Sequence, residues 1–265
     1  MARFRALRQL SIVLLVVGAG TLAVLPTSAS ASYLRATTIV SNQSAADGTV
    51  QKSVSVGCPS GMKVVGVGAE IGYTADQVHI TGLVPSLSGG SVSAHASVDD
   101  TGYNYNWKLN VTAVCTVAPA GYEIVSDYHV ATSDPSASMS AYCPSGKRLL
   151  GGSADVHINN SGWAVPRNIP DVAVNQLLAS GTSEGVHAFA YEDGDGTALS
   201  WVLTAYAICA LPATGLETVH SYGGYSRDDT RYERLDCPAG KQVLGVGGSV
   251  FPDTGEVAPT FQIGL

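Results

Sequence analysis

The sequence CPSGMKVVGVG at residues 58–68 decides how the chain is organised, because two close copies of it follow. The copies are CPSGKRLLGG at 143–152 and CPAGKQVLGVG at 237–247, and all three read Cys-Pro-x-Gly, four residues, then glycine. A second pattern, WKLNVTAVC at 107–115 and WVLTAYAIC at 201–209, follows the first two copies and not the third. Internal repetition of this kind predicts a fold built from repeated structural units.

The first 31 residues have the features of a secretory signal peptide. Three arginines lie near its start, an uncharged and mostly apolar run covers residues 10–25, and Ala29-Ser30-Ala31 forms a small-x-small cleavage site. The apolar run is too short to span a bilayer comfortably. We therefore expect a secreted protein that is not anchored in a membrane and whose mature chain begins at Ser32.

The repeats divide the mature chain into three units. We place β repeats at residues 32–119 and 120–213 and an incomplete third repeat at 214–265. Hydrophobic residues make up 45% of the chain, which is enough to bury a core, and only 13% of the residues are charged. No long segment shows the 3.6-residue apolar period of a helix, so the composition predicts short strands joined by tight turns.

Apolar residues alternate with a period of two at the expected strands. Val54, Val56 and Cys58 alternate with small residues, which predicts a half-buried strand whose cysteine points inward. Further strands are expected at residues 78–84, 91–98, 173–178 and 186–191. We expect four or five antiparallel strands in each complete unit and an all-β fold, either a β-prism or tandem sandwiches.

Proline and glycine also have predictable roles in the repeated motif. Pro-x-Gly after each cysteine predicts a turn, because proline presets φ and glycine can take a positive φ. The later glycine of the motif, such as Gly66, lies inside the next predicted strand. There it would admit either a β-bulge or the close packing of a neighbouring strand.

Five cysteines in an exported protein suggest two disulfides and one remaining thiol. Several pairings are possible, but only Cys58–Cys115 with Cys143–Cys209 treats both complete repeats alike. Cys237 would then lack a partner. We expect Cys237 to be free or bonded to another molecule, next to an unpaired sheet edge that could take part in intermolecular contact.

The two motifs together resemble those of a widespread group of small secreted actinobacterial repeat proteins with no assigned activity. The resemblance rests on residues 58–66 with 107–115 and on residues 143–151 with 201–209, and it extends over roughly residues 33–265. It implies no catalytic residues. Three β units that each hold cysteines are also similar to the β-prism of vitelline membrane outer layer proteins, although the repeats are longer here.

The charge of the chain argues against two classes of partner. Without the leader, 11 basic residues face 21 acidic ones, so we expect neither nucleic acid nor an anionic membrane as a partner. The six histidines form no metal-binding pair, no cysteines have Cys-x-x-Cys spacing, and the glycine-rich stretches lack the features of a phosphate loop. We expect no metal and no cofactor.

One pentapeptide matches the nucleophile elbow of α/β-hydrolases. Residues 181–185 read Gly-x-Ser-x-Gly with Ser183 at the centre, and acidic residues and then His220 follow in the appropriate order. That motif needs a helix after the serine, whereas residues 186–191 alternate as a strand does. We interpret the pentapeptide as a turn and assign no catalytic residue.

Residues 192–196, EDGDG, are similar to the start of a calcium-binding loop. An EF-hand loop that began at Asp193 would need a glutamate at its twelfth position, where Thr204 stands. We interpret the stretch as an acidic β-turn, with a weak cation site as the alternative.

Aromatic residues supply the candidate binding site. Tyr103, Tyr105 and Trp107 alternate and would line one strand face on which sugar rings could stack. Trp201 repeats Trp107, however, which is typical of a core position. Trp163 has no counterpart in the first repeat and lies in a turn-like stretch, so we name Trp163, Tyr103 and Tyr105 as candidate contacts.

These observations favour a secreted, non-catalytic module that binds a glycan or an extracellular protein through a rigid scaffold. A structural coat or matrix protein is the first alternative, because the charge is low and the third repeat is incomplete. A small secreted serine hydrolase that uses Ser183 is the second alternative.

Overall fold

The computed structural model describes most of the chain after the leader. The described residues are 37–72, 77–99, 102–132, 134–159, 171–180, 184–224 and 233–249. They contain thirteen strands and no helix, and every strand pairing is antiparallel. No helix in this part of the chain could cross a membrane. The fold is therefore all-β, as expected.

Two sets of six strands follow each other along the chain. The first half contains β1 (Thr38–Gln43), β2 (Gln51–Gly57), β3 (Met62–Gly72), β4 (Val78–Pro85), β5 (Ser91–Val98) and β6 (Lys108–Val117). The second half contains β7 (Glu123–Ala131), β8 (Ser136–Tyr142), β9 (Arg148–Ile158), β10 (Val172–Ala179), β11 (Gly185–Glu192) and β12 (Trp201–Ala210). A short strand β13 (Gly248–Ser249) follows them.

The two halves pair their strands in the same order. In the first half β6 lies between β1 and β3, and β5 lies between β2 and β4; in the second half β12 lies between β7 and β9, and β11 lies between β8 and β10. The pairing of Gly82 in β4 with Asp155 in β9 joins the halves into a six-stranded sheet, and β13 extends the sheet of β10.

The expected count of four or five strands per unit is wrong, because each half has six. The strands that we missed are β1 and β7, which form sheet edges against β6 and β12. Most of their residues are exposed or half-buried, so they lack the strict apolar alternation that marks an inner strand.

The molecule has two hydrophobic cores, one centred on each half, and a disulfide holds each of them. Trp107 and Trp201 are fully buried in the first and second cores, as their repetition indicated. Cys58–Cys115 and Cys143–Cys209 are bonded, with Cα atoms 5.7 and 5.6 Å apart, which confirms the expected pairing. Two such bridges are typical of an oxidising environment, either extracellular or periplasmic.

The later glycine of each motif copy packs directly against another copy. A Cβ atom on Gly66 would overlap the carbonyl oxygen of Leu244, and one on Gly151 would overlap that of Val65. A Cβ atom on Gly245 would lie 2.9 Å from the Cα of Gly151. The ladder between β3 and β6 also slips by one residue before Gly66. Both expected roles of this glycine, the bulge and the close packing, therefore occur.

The third copy of the motif contributes less described structure than the other two. Its Cys237 is half-buried and forms no disulfide with the other four cysteines, all of which lie in the described part of the chain. The motif leads into β13, which pairs with β10 over two residues. Residues 250–265 lie outside the described part of the chain, and an intermolecular contact through Cys237 stays a prediction.

Candidate functional site

The sequence-predicted tyrosines do not share a surface with Trp107. Residues 102–106 lie outside the strands, so the period of two does not apply to them. Trp107 is fully buried, Tyr105 is 72% exposed, and Tyr103 packs against the edge of the first core. The rings of Tyr103 and Tyr105 touch with centroids 5.5 Å apart at an angle of 59°. This tilted pair does not form the flat platform that we expected.

Two other candidates cannot be placed. Trp163 and Ser183 both lie outside the described residues. The binding role of Trp163 and the turn interpretation of residues 181–185 therefore stay predictions.

A row of rings lies on the outer face of β11. Three small or branched residues of this strand point into the second core, namely Val186, Ala188 and Ala190. The residues that alternate with them point away from that core, namely His187, Phe189 and Tyr191. This is the alternation that β-strand geometry imposes, and it leaves three ring-bearing side chains side by side on one sheet face.

These rings contact each other along the strand. The Phe189 and Tyr191 rings lie 6.0 Å apart at only 19°, and the His187 ring meets Phe189 nearly edge-on, 5.1 Å away at 70°. Tyr142 of β8 adds a fourth ring that is 52% exposed. Its ring lies over Gly185, where a Cβ atom would come within 2.5 Å of Tyr142 Cδ1. We call Tyr142, His187, Phe189 and Tyr191 the ring row.

Hydroxyl groups run beside the ring row on the neighbouring strand. In the β8–β11 ladder, Ser140 lies opposite His187, Ser138 opposite Phe189, and Ser136 opposite Tyr191. We call Ser136, Ser138 and Ser140 the serine row. A hydrogen bond of 2.6 Å joins Ser140 Oγ to His187 Nδ1 and fixes the orientation of the imidazole. The face thus combines flat apolar rings with hydroxyl donors and acceptors.

Carboxylates lie at the end of β11 beyond Tyr191. The N–H of Asp193 donates to the carbonyl of Asp171 at 2.9 Å, which extends the β10–β11 ladder. Burial and a hydrogen bond shared with Asp195 raise the pKa of Asp193 to about 7. Burial also raises the pKa of Asp171, and nearby carboxylates, Asp195 first, add to the effect.

The acidic turn itself is held by hydrogen bonds within the protein. The Oδ1 atom of Asp193 accepts from the N–H of Gly196 at 3.1 Å, and Oε2 of Glu192 accepts from the N–H of Thr197 at 3.2 Å. These are the contacts of an Asx-type turn. Across the described ranges, no group of three or more His, Cys, Asp or Glu side chains is arranged to hold a metal ion.

The first half has an equivalent face without the benzene-type rings. Counted from the Cys-Pro pair, Ser93, His95 and Ser97 of β5 occupy the registers of His187, Phe189 and Tyr191. Ser55 Oγ and Ser93 Oγ are 2.6 Å apart, in the same place as the Ser140–His187 bond. The strand pairing is shared, and the outward side chains of β5 and β11 differ.

The sequence contained a signal for the ring row. In VHAFAY at 186–191, small residues alternate with His, Phe and Tyr, which places the rings on one side of a strand. We used this alternation to predict the strand and did not ask what its second face carries. The serine row could not be paired with it until the β8–β11 register was known.

Comparison with known proteins adds no assignment. No protein-family model matches the chain, and no curated protein sequence is significantly similar to it.

Proposed function

We propose that this protein is a secreted, non-catalytic module that binds a glycan through the ring row and the serine row. The observation that carries the proposal is the pair of nearly parallel rings, Phe189 and Tyr191, on the outer face of a sheet. Tyr191 is 37% exposed, so part of this surface is open to a ligand. The leader-like N-terminus and the two disulfides support export of the chain.

The two rows match the two surfaces of a sugar ring. The C–H face of a sugar packs against an aromatic ring, and its hydroxyl edge forms hydrogen bonds with polar side chains. Phe189 and Tyr191 supply the first kind of contact, and the exposed Ser138 beside Phe189 supplies the second. A regular sheet holds both rows, so little conformational entropy is lost on binding.

The surrounding charge narrows the class of glycan. The full chain has a formal net charge of −7, and the row ends near the carboxylates of Asp171 and Asp193. Polymers rich in uronic acids would be repelled there. We expect neutral or amino sugars to bind in preference to acidic ones.

The Ser140–His187 contact does not favour a hydrolase. Its counterpart in the first half joins two hydroxyl groups, Ser55 and Ser93. The bond thus belongs to a cross-strand contact that both halves make, whichever side chains occupy it. We assign it the role of orienting His187 beside Phe189.

A pull-down on insoluble polysaccharides tests the proposal. The mature chain from Ser32 is incubated with cellulose, chitin, xylan and bacterial cell wall, alongside Tyr191→Ala and, as a control on the first half, His95→Ala. We expect the wild type and the control to bind at least one polymer and Tyr191→Ala to lose roughly fivefold in affinity, since stacking contributes about 1 kcal/mol. Failure of the correctly folded wild type to bind any of them contradicts the proposal, as does equal binding by Tyr191→Ala.

A further inference from the structure

A polar groove lies on the first half of the molecule, away from the strands of the ring row. It has a volume of about 490 Å³ and opens on the sheet formed by β1, β6 and β3. Six polar residues line it, namely Ser41, Asn42, Gln43, Glu70, Asn110 and Thr112.

The strand register explains why these side chains converge. Asn110 of β6 lies between Gln43 of β1 and Glu70 of β3, so the three side chains form one row across the sheet. In the next row, Thr112 lies between Ser41 and Gly68. Gly68 is buried and does not line the groove, so Ser41 and Thr112 supply the polar groups of this row.

The groove offers unused hydrogen-bonding capacity. The Nδ2 group of Asn110 donates a long hydrogen bond of 3.5 Å to Oε2 of Glu70, and Nζ of Lys108 donates to Oε1 of Gln43 at 3.1 Å. The Oδ1 atom of Asn110 is buried and has no hydrogen-bond partner in the described part of the chain. A buried amide oxygen without a partner is unfavourable, so a donor that reaches it stabilises the complex.

We propose that this groove is a second binding site, which takes a neutral, hydroxyl-rich ligand such as a single sugar residue. Amides, hydroxyls and one carboxylate are the groups that satisfy a ring of alternating donors and acceptors. One carboxylate is too few for a calcium site, and Glu70 repels anions. The lining has no apolar side chain for a hydrophobic ligand.

A second site would give the protein a property that the ring row alone lacks. The groove lies on the first half, whereas the ring row lies on β8 and β11 of the second half. Two sites on one rigid scaffold let a single chain hold two sugar residues of one polymer, or link two polymers.

The second half supplies a matched variant for the test. Thr112 lies three residues before Cys115, and Tyr206 lies three residues before Cys209, each in a strand that is paired on both sides. The same register therefore accepts a tyrosine. Thr112→Tyr should fold while its ring fills part of the groove, and Asn110→Ala provides an independent loss of the amide.

The experiment removes the first site before it examines the second. In the full mature chain carrying Phe189→Ala and Tyr191→Ala, binding of glucose, mannose, galactose and N-acetylglucosamine is followed by saturation-transfer NMR. We expect one of these sugars to retain a signal, and its affinity to fall about tenfold on adding Thr112→Tyr or Asn110→Ala, as expected for lost hydrogen bonds to a charged or buried group. Near-ultraviolet circular dichroism checks that each variant is folded.

Each outcome decides between the two sites. A residual signal that both groove variants remove supports the second site. No residual signal, or one that survives both variants, overturns it and leaves the ring row untouched. Loss of all polysaccharide binding in the wild type would instead contradict the proposed function, so failures of the two proposals are distinguishable.

Discussion

The two halves of the molecule have the same strand order, but they carry different side chains on their outer strand faces. Val186 and Ala188 of β11 point into a core as Val92 and Ala94 of β5 do, and a disulfide staples each half. The outer face of β8 and β11 carries the ring row, whereas β5 has Ser93, His95 and the buried Ser97 at the registers of His187, Phe189 and Tyr191. The comparison teaches that the inward residues preserve the fold, while the outward ones are free to acquire a binding function.

The largest loss of stability should follow from removing a feature that both halves share, the disulfide. Cys58→Ser and Cys143→Ser should each lower the free energy of unfolding by about 4 kcal/mol, because the bridges close loops of similar length, 57 and 66 residues. Chemical unfolding of each variant measures this cost. A large cost in one half and a negligible cost in the other would break the equivalence.

A smaller loss of stability should follow from changing either buried tryptophan, although the two indoles donate to different acceptors. The indole N–H of Trp107 donates to the carbonyl of Thr49, and the Lys52 ammonium lies 4.9 Å from the ring centroid. The indole of Trp201 donates instead to the carboxylate of Glu192 at 2.9 Å. Replacing either tryptophan by phenylalanine should cost about 2 kcal/mol, since a buried hydrogen bond is lost.

A double-mutant cycle with Lys52→Met sharpens this difference. Lys52 should couple to Trp107 by about 1 kcal/mol through the cation–π contact and should not couple to Trp201. Thermal or chemical unfolding of the three single and two double variants, compared with the wild type, gives both couplings. Equal coupling to both tryptophans would show that the contact seen at Trp107 contributes nothing specific.

The two halves should respond to pH in opposite directions. Hydrogen bonds from Lys52 and then Thr49 lower the pKa of Asp47 to about 2, so this carboxylate stabilises the fold above its usual pKa and the benefit is lost as pH falls through about 2. The raised pKa of Asp193, about 7, has the opposite effect on the pH dependence of stability. Because the folded state holds this proton more tightly than the unfolded chain, stability declines as pH rises from about 4 to 7.

Neutral amide variants test these signs. Asp193→Asn should raise the melting temperature at pH 7 or above and change it little at pH 4. Asp47→Asn should lower the melting temperature at pH 7, with a smaller loss near pH 2. If the melting temperatures of the two variants changed with pH in the same direction between pH 2 and 8, the opposite pKa shifts assigned to Asp47 and Asp193 would be wrong.

The parts of the fold that could be predicted are those that the core dictates. Residues 91–98 form β5 with the expected bounds, because their inward positions must be small or apolar. The disulfides followed from repetition of the motifs. The edge strands β1 and β7 could not be predicted from an apolar alternation. Each pairs with only one neighbour, and its exposed residues can be polar.

The candidate site was harder to predict, because it depends on strand register. Nothing in the sequence near Ser138 shows that it lies beside Phe189, fifty-one positions later, until β8 and β11 are paired. Tyr103 and Tyr105 alternate with Trp107 in the sequence, which predicted that they share a strand face. Their segment lies outside the strands, so the alternation does not place them on one face. A strand pattern locates a face, and only the pairing shows what shares that face.

The most direct test exchanges the outer face of the second half for that of the first. The triple variant His187→Ser, Phe189→His and Tyr191→Ser gives β11 the outward residues of β5 and leaves its inward residues unchanged. Its binding isotherm on the polysaccharide that binds the wild type, and its unfolding curve, are compared with those of the wild type. We predict a loss of affinity of more than about tenfold with nearly unchanged stability. Undiminished binding by the folded triple variant would contradict the central claim that the ring row binds the glycan.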